Sequence, residues 1–157
     1  MAAGFSIKEK NIAMLRRNLE EIAQSEISPE DFIPKLKIDA ELELDEIGPE
    51  LIGVIKEFEP FGIGNPEPTF LTKDLEIVDI KRVGKESEHL RPFLKDKLNN
   101  TISGIGFGFG GKSLSKGDMV DIVYNLRENV WNSRKTIETR LKDIKKSTKL
   151  DNGKLLE

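Results

Sequence analysis

The chain has no cysteine, and only one histidine, one tryptophan and one tyrosine among its 157 residues. Without cysteine there can be no disulfide and no thiolate metal site, so a reducing, cytoplasmic setting is expected. The single histidine, His89, rules out a histidine-rich metal centre within the chain. It lies in the charged string KESEHLRPF with no nucleophile elbow anywhere, so it reads as a surface strand residue rather than part of a catalytic triad. Long apolar runs are missing too. None approaches the roughly 20 residues of a membrane helix, and MAAGFSIKEK lacks the basic-then-apolar pattern of a signal peptide. No membrane partner is expected.

Basic residues are plentiful but slightly outnumbered, 25 against 28 acids, for a net charge of −3. That is unpromising for a polyanion binder until the distribution is read. From residue 20 to 59 there are 13 acids and 3 bases, whereas 81–97 holds 6 bases and 3 acids, and 134–149 holds 7 bases and 2 acids. An acidic front half therefore precedes two basic stretches. They read either as solvated strand faces or as a groove that follows phosphates.

Ile12, Leu15, Leu19 and Ile22 recur at helical spacing, which predicts a helix over 7–24, with Ser6 and Glu9 as a capping box. Ser28-Pro29-Glu30-Asp31 marks a turn or a short helical start. Leu36, Ile38, Ala40, Leu42 and Leu44 alternate with charged residues, which predicts a strand with one wet face. The carboxylates of Asp39 to Asp45 then solvate that face rather than hold a metal. Gly48-Pro49-Glu50 opens a second helix that presents Leu51, Ile52, Ile55 and Phe58 and stops at Pro60. Three prolines and two glycines in 60–68 forbid helix or central strand. This rigid loop is taken as a domain boundary.

Beyond it the pattern changes to short strands, expected near 74–83, 88–96, 100–107, 119–126 and 135–144. Turns are expected at Gly84-Lys85, 97–100, 110–117 and 129–133. Ile77-Val78 breaks the alternation of the first strand and suggests a bulge. Five strands in this span suit a Greek-key barrel of the OB type.

Residues 106–113 formally match the phosphate-binding pattern GxxxxGK[ST], ending in Lys112-Ser113, but leave no room for the helix that pattern requires. A structural role is the better account. Gly104, Gly106, Gly108 and Gly110 share a bare strand face that admits close approach, with Ile105, Phe107 and Phe109 opposite. On the second strand His89, Arg91, Phe93 and Lys95 share one face and Leu90 and Leu94 the other, with Pro92 suggesting an edge or kink. Cations that follow phosphates and a ring that stacks on bases make a single-strand binder. Arg134, Arg140 and Lys142 on the last strand could extend this face. Trp131 reads either as a stacking residue or as a cap on the barrel end.

The loop PFGIGNPEP (60–68), the preceding IDAELELDEI and ELIGVIKEFE, and the later DIVYNLRENVWNSRKTIETRLKDIK resemble the RecJ single-stranded-DNA-specific exonuclease family. The opening MAAGFSI resembles the residues that follow the GGH motif of that family's DHHA1 domain. The resemblance implies an α+β chain: a five-stranded OB-type barrel (69–147) preceded by a helix–strand–helix remnant, made of the end of DHHA1 (1–26) and a connector (27–68), and followed by a flexible tail (148–157). It implies a parent enzyme that degrades single-stranded DNA from 5′ to 3′ with Mn or Mg. The metals would be held by a DHH domain expected to be absent here, leaving no catalytic residue, metal or cofactor in this chain. The implied partners are single-stranded DNA, the DHH domain of the same protein, and a single-strand-binding protein. The runner-up reading is a protein-interaction barrel docking the nuclease core or such a protein. Ser133, where the family often has Gly, and Arg91-Pro92 depart from the family pattern.

Overall fold

The computed structural model describes residues 4–33, 35–131 and 134–147; the side chains of Pro29, Phe32, Val130, Trp131, Arg134 and Lys135 lie outside that description. The expected tail, 148–157, lies outside it as well. The chain divides into two compact units, Met1–Leu36 and Lys37–Glu157.

In the first unit a 3₁₀ turn (Glu9–Asn11) leads into helix α1 (Ile12–Glu26). The capping box expected from Ser6 and Glu9 does not form. The tight turn satisfies its own backbone, Asn11 N–H donating to the Lys8 carbonyl at 2.8 Å, and this moves the helix start past the reach of Ser6. The reciprocal pattern occurs instead at Ser28, whose N–H and hydroxyl both donate to the Asp31 carboxylate at 2.8 and 2.9 Å. It opens the 3₁₀ turn Pro29–Phe32.

The second unit is built on β2 (Phe70–Val83), β3 (His89–Lys95), β4 (Thr101–Ile105), β5 (Met119–Trp131) and β6 (Arg134–Lys146), with a two-residue β1 (Ala40–Glu41) ahead of them. The order β2-β3-β4-β6-β5 returns to β2 through a β2–β5 pairing, so five strands form a closed barrel. All contacts in the ring are antiparallel except β4–β6.

β2 serves both sides of the ring because it bends twice. Its first half pairs with β5 and its second with β3. The ladder to β5 is irregular between Thr72 and Leu75, where Asp74 has a φ of 55°. The ladder to β3 is irregular between Ile77 and Asp79, at the doublet that broke the alternation in the sequence. Each irregularity adds local bend and twist.

Leu75, Ile77, Leu90, Leu94, Val120, Ile122 and Ile144 fill the barrel, fully buried. Tyr124 is buried with them, and its hydroxyl meets Thr72 Oγ1 at 2.9 Å. Burial pushes the phenol up to about 12, against the lowering effect of the Thr72 bond. Asn125, beside it, donates from its amide to the Pro68 carbonyl at 2.6 Å, tying the end of the proline-glycine loop to β5. The other end is tied by Asn65, which donates to the Phe58 and Pro60 carbonyls at 2.6 and 3.1 Å. Helix α2 (Pro49–Glu57) begins with Pro in its first turn. Its Ile52 and Ile55 join Leu44, Phe70 and Leu126 in the barrel's core cluster.

The strand expected over 36–44 shrinks to Ala40–Glu41, parallel to Phe70–Leu71. At these β2 residues one edge is already taken by β5, and from Glu76 onward the other belongs to β3. Only a short stretch of edge is therefore free. Pairing ends where the Leu42 carbonyl accepts from Thr72 Oγ1 at 2.8 Å, and Leu44 turns inward on a 3₁₀ turn. The turn expected over 129–133 is also shorter, since the β5–β6 ladder runs to Trp131↔Arg134.

Two outcomes test this packing. A Cβ on Gly104 would overlap Thr139 Oγ1 and lie 2.6 Å from the Thr139 carbonyl, so Gly104→Ala should lower stability by about 1–3 kcal/mol in urea denaturation. The unfolded phenol ionises near 10 and the folded one near 12. The contribution of Tyr124 is thus intact below pH 10 and lost as pH rises towards 12. Tyr124→Phe should remove that part of the alkaline loss in melts recorded across this range.

Candidate nucleic-acid interface

Strand β3 divides its side chains as its alternation requires. Leu90, Pro92 and Leu94 are buried, Arg91 and Phe93 are exposed, and His89 and Lys95 are half-buried. Pro92 has no N–H to give the ladder. The β3–β4 pairing, continuous at Phe93–Lys95, is accordingly interrupted and resumes as a single bridge between Leu90 and Gly106.

Register then assembles the outer face. Phe93 lies opposite Ser103 and Lys95 opposite Thr101. Ile105 pairs with Arg140 across the parallel seam, and Arg127 of β5 pairs with Glu138 of β6. Two shallow depressions result. One, of about 270 Å³, is lined by Ile105, Phe107, Arg127, Glu138 and Arg140. The other, of about 300 Å³, is lined by Phe93, Thr101, Leu44, Ile47 and Ile137.

The contacts on this face are specific. His89 Nδ1 accepts the Gly108 N–H at 3.2 Å, and its ring meets Phe107 edge-on at 4.9 Å. The Arg140 guanidinium lies 5.4 Å from the centre of the Phe107 ring, within cation–π range. Arg91 reaches Glu138 at 3.7 Å, and Lys95 pairs with Glu76 at 2.9 Å. Arg127 donates to both oxygens of Glu67, at 3.1 and 3.3 Å. Phe93 and Phe107 are 41% and 49% exposed, which leaves ring surface for a ligand.

Of the residues singled out in the sequence, Arg91, Phe93, Lys95 and Arg140 share this face, and His89 joins it through Phe107. Lys142 is exposed at the β5–β6 irregularity, where Tyr124 pairs with Leu141 and Val123 with Asp143. The side chains of Trp131 and Arg134 are outside the described residues. Phe107, Ile105, Arg127 and Glu138 were not anticipated. The signal for Ile105 was its parity opposite Gly104 on β4.

The glycine segment makes no phosphate cradle. Its Lys112 is spent on the Asp143 carboxylate at 2.7 Å and the Ile144 carbonyl at 2.8 Å. The Gly110 and Lys112 N–H groups donate to the Glu88 and Phe109 carbonyls. Partial burial raises the Asp143 carboxyl, but its bonds with Lys112 and the Ile144 N–H outweigh this and hold it below its ordinary value. Among the described residues no cluster of three or more His, Asp or Glu could hold a metal ion, so they do not fit a Mn or Mg centre. Two of the carboxylates of Asp39 to Asp45 are engaged in ion pairs, Asp39 with Lys37 and Glu41 with Lys73. Among the described residues no helix is long and apolar enough to cross a membrane.

A five-stranded barrel closed in this order, with exposed rings and cations on one wall, defines a domain of the OB class. The sequence model of the RecJ OB domain matches residues 38–143, and the chain belongs to that family. It is 30% identical over 145 residues to the single-stranded-DNA-specific exonuclease RecJ of Bacillus subtilis (strain 168), covering 91% of this chain and 18% of that protein. It superposes on crystal structures of RecJ from Thermus thermophilus with Mn²⁺ and with Mg²⁺, each at 25% identity and a TM-score of 0.73. These matches cover 92% of this chain and 20% and 22% of those chains. The chain thus spans about a fifth of the length of these relatives.

If Lys112 is a strut and not a phosphate ligand, Lys112→Ala should lower stability by about 1 kcal/mol after solvent screening. Calorimetric titration with ATP should show no binding in either protein.

Proposed function

We propose that the outer face of β3, β4 and β6 binds single-stranded DNA, and that the chain serves as the strand-gripping module of a RecJ-type 5′-to-3′ exonuclease. The observation that carries this reading is the interleaving of two half-exposed rings, Phe93 and Phe107, with Arg91, Lys95 and Arg140 on one wall. A flexible strand can lay bases on rings at about 1–3 kcal/mol each while cations meet its phosphates. The name of the Bacillus subtilis relative, a single-stranded-DNA-specific exonuclease, supports the substrate class.

Hydrolysis belongs to a DHH domain of the parent protein, where Mn or Mg would activate the attacking water. In this reading residues 1–26 are the end of the DHHA1 domain, 27–68 the connector and 69–147 the barrel. The chain alone leaves phosphodiesters intact. Its partners are the single strand and that catalytic domain.

A second reading, a barrel that docks a protein such as the nuclease core or a single-strand-binding protein, is favoured by one observation. Phe58 and Ile63 stand 57% and fully exposed around the proline-glycine loop.

Fluorescence anisotropy with a labelled oligonucleotide separates the two. Three phosphate contacts to a single strand predict a log–log salt slope of about −2, and Arg91→Ala, Lys95→Ala or Arg140→Ala should each reduce it by about 0.7. Phe107→Ala should weaken binding at unchanged slope. Absent or salt-independent binding would favour the docking reading.

A further inference from the structure

Glu138 stands where a face built only to follow phosphates would carry a cation. It lies on β6 opposite Arg127 of β5, lines the same depression as Phe107 and Arg140, and comes within 3.7 Å of Arg91. Its neighbours repeat the pattern. Glu67 engages Arg127 through both carboxylate oxygens, and Glu76 engages Lys95. Among the described residues of the wall, Arg91, Lys95 and Arg127 each have a carboxylate partner, while Arg140 rests on a ring. The wall is close to neutral, and Glu138 sets a negative charge among Arg91, Arg127 and Arg140.

Such a wall does not treat all polynucleotides alike. A duplex keeps its bases inside and presents about one phosphate charge per 1.7 Å of axis. Laid on this face, it must bring phosphates against Glu138. A single strand can rotate its backbone away from Glu138, towards Arg140 and Lys95, and turn its bases inward. There Phe93 and Phe107 offer stacking surface. The Glu138 carboxylate, an acceptor only, can receive hydrogen bonds from base amino groups, as acidic side chains do from cytosine N4.

We infer that Glu138 is a specificity-determining residue: it repels phosphates from the centre of the face, turns bases towards it, and so discriminates against duplex. This rests on the reading of the face as a single-strand site.

The test compares Kd values for a labelled single strand and a blunt duplex of the same length, at one low salt concentration, with melting curves recorded to establish folding. Repulsion between unit charges about 4 Å apart in water is worth roughly a fivefold change in affinity. Glu138→Gln, which keeps the shape and one accepting oxygen but removes the charge, should tighten duplex binding by about fivefold or more while changing single-strand binding by less than about twofold. Ser103→Asp, which adds a carboxylate to the same row, should widen the preference for single strands. Equal changes for both ligands, or weakened binding to both, would overturn the assignment of Glu138 while leaving the site reading intact. No single-strand binding by the wild-type chain would overturn both.

Discussion

The outer face depends on a contact that leaves no room for a side chain. β4 and β6 run parallel over only two registered pairs, Gly104↔Thr139 and Ile105↔Arg140. The seam holds because Thr139 takes the space a Cβ on Gly104 would need, while its hydroxyl donates to the Ser103 carbonyl at 3.2 Å. That approach sets the spacing between Phe93 and Ser103 on one side and Glu138 and Arg140 on the other. An open sheet of the same strands would leave β4 and β6 as two edges, with rings and cations on separate borders.

Charge on this wall is local and paired. Net charge describes it poorly, because each cation is governed by the carboxylate or ring beside it. Exposed pairs of this kind contribute little to folding, about 0–1 kcal/mol each. Their importance is in what they ask of a ligand. A phosphate approaching Arg91 or Lys95 must compete with a carboxylate already in place, and a base approaching Phe107 must share its ring with Arg140.

Local features were legible in the sequence and long-range pairings were not. The period of two on β3 gave the buried side of that strand, and the Ile77-Val78 doublet gave the bulge that bends β2. The same period over 36–44 misled, because pairing there depends on how much of the β2 edge other strands leave open. Ser6 was a sound capping residue displaced by a 3₁₀ turn that satisfied its own donors. On the face, Arg91, Phe93, Lys95 and Arg140 followed from strand parity alone. Arg127 and Glu138 required knowing that β5 and β6 pair in this register and that β6 lies beside β4, which no single segment encodes. Phe107 lies just past the end of β4, where parity no longer specifies direction; His89 and Arg140 fix its ring instead.

The two asparagines that clamp the proline-glycine loop use neutral amides. Asn65 and Asn125 hold backbone carbonyls without a formal charge on either side, so dissolved ions have little to screen. The ligand wall is the reverse, since every cation on it answers to ionic strength. Scaffold and occupancy are thereby governed by separate variables. In the proposed reading, salt is a release lever that would strip a polynucleotide from the wall while the amide clamps at Asn65 and Asn125 hold.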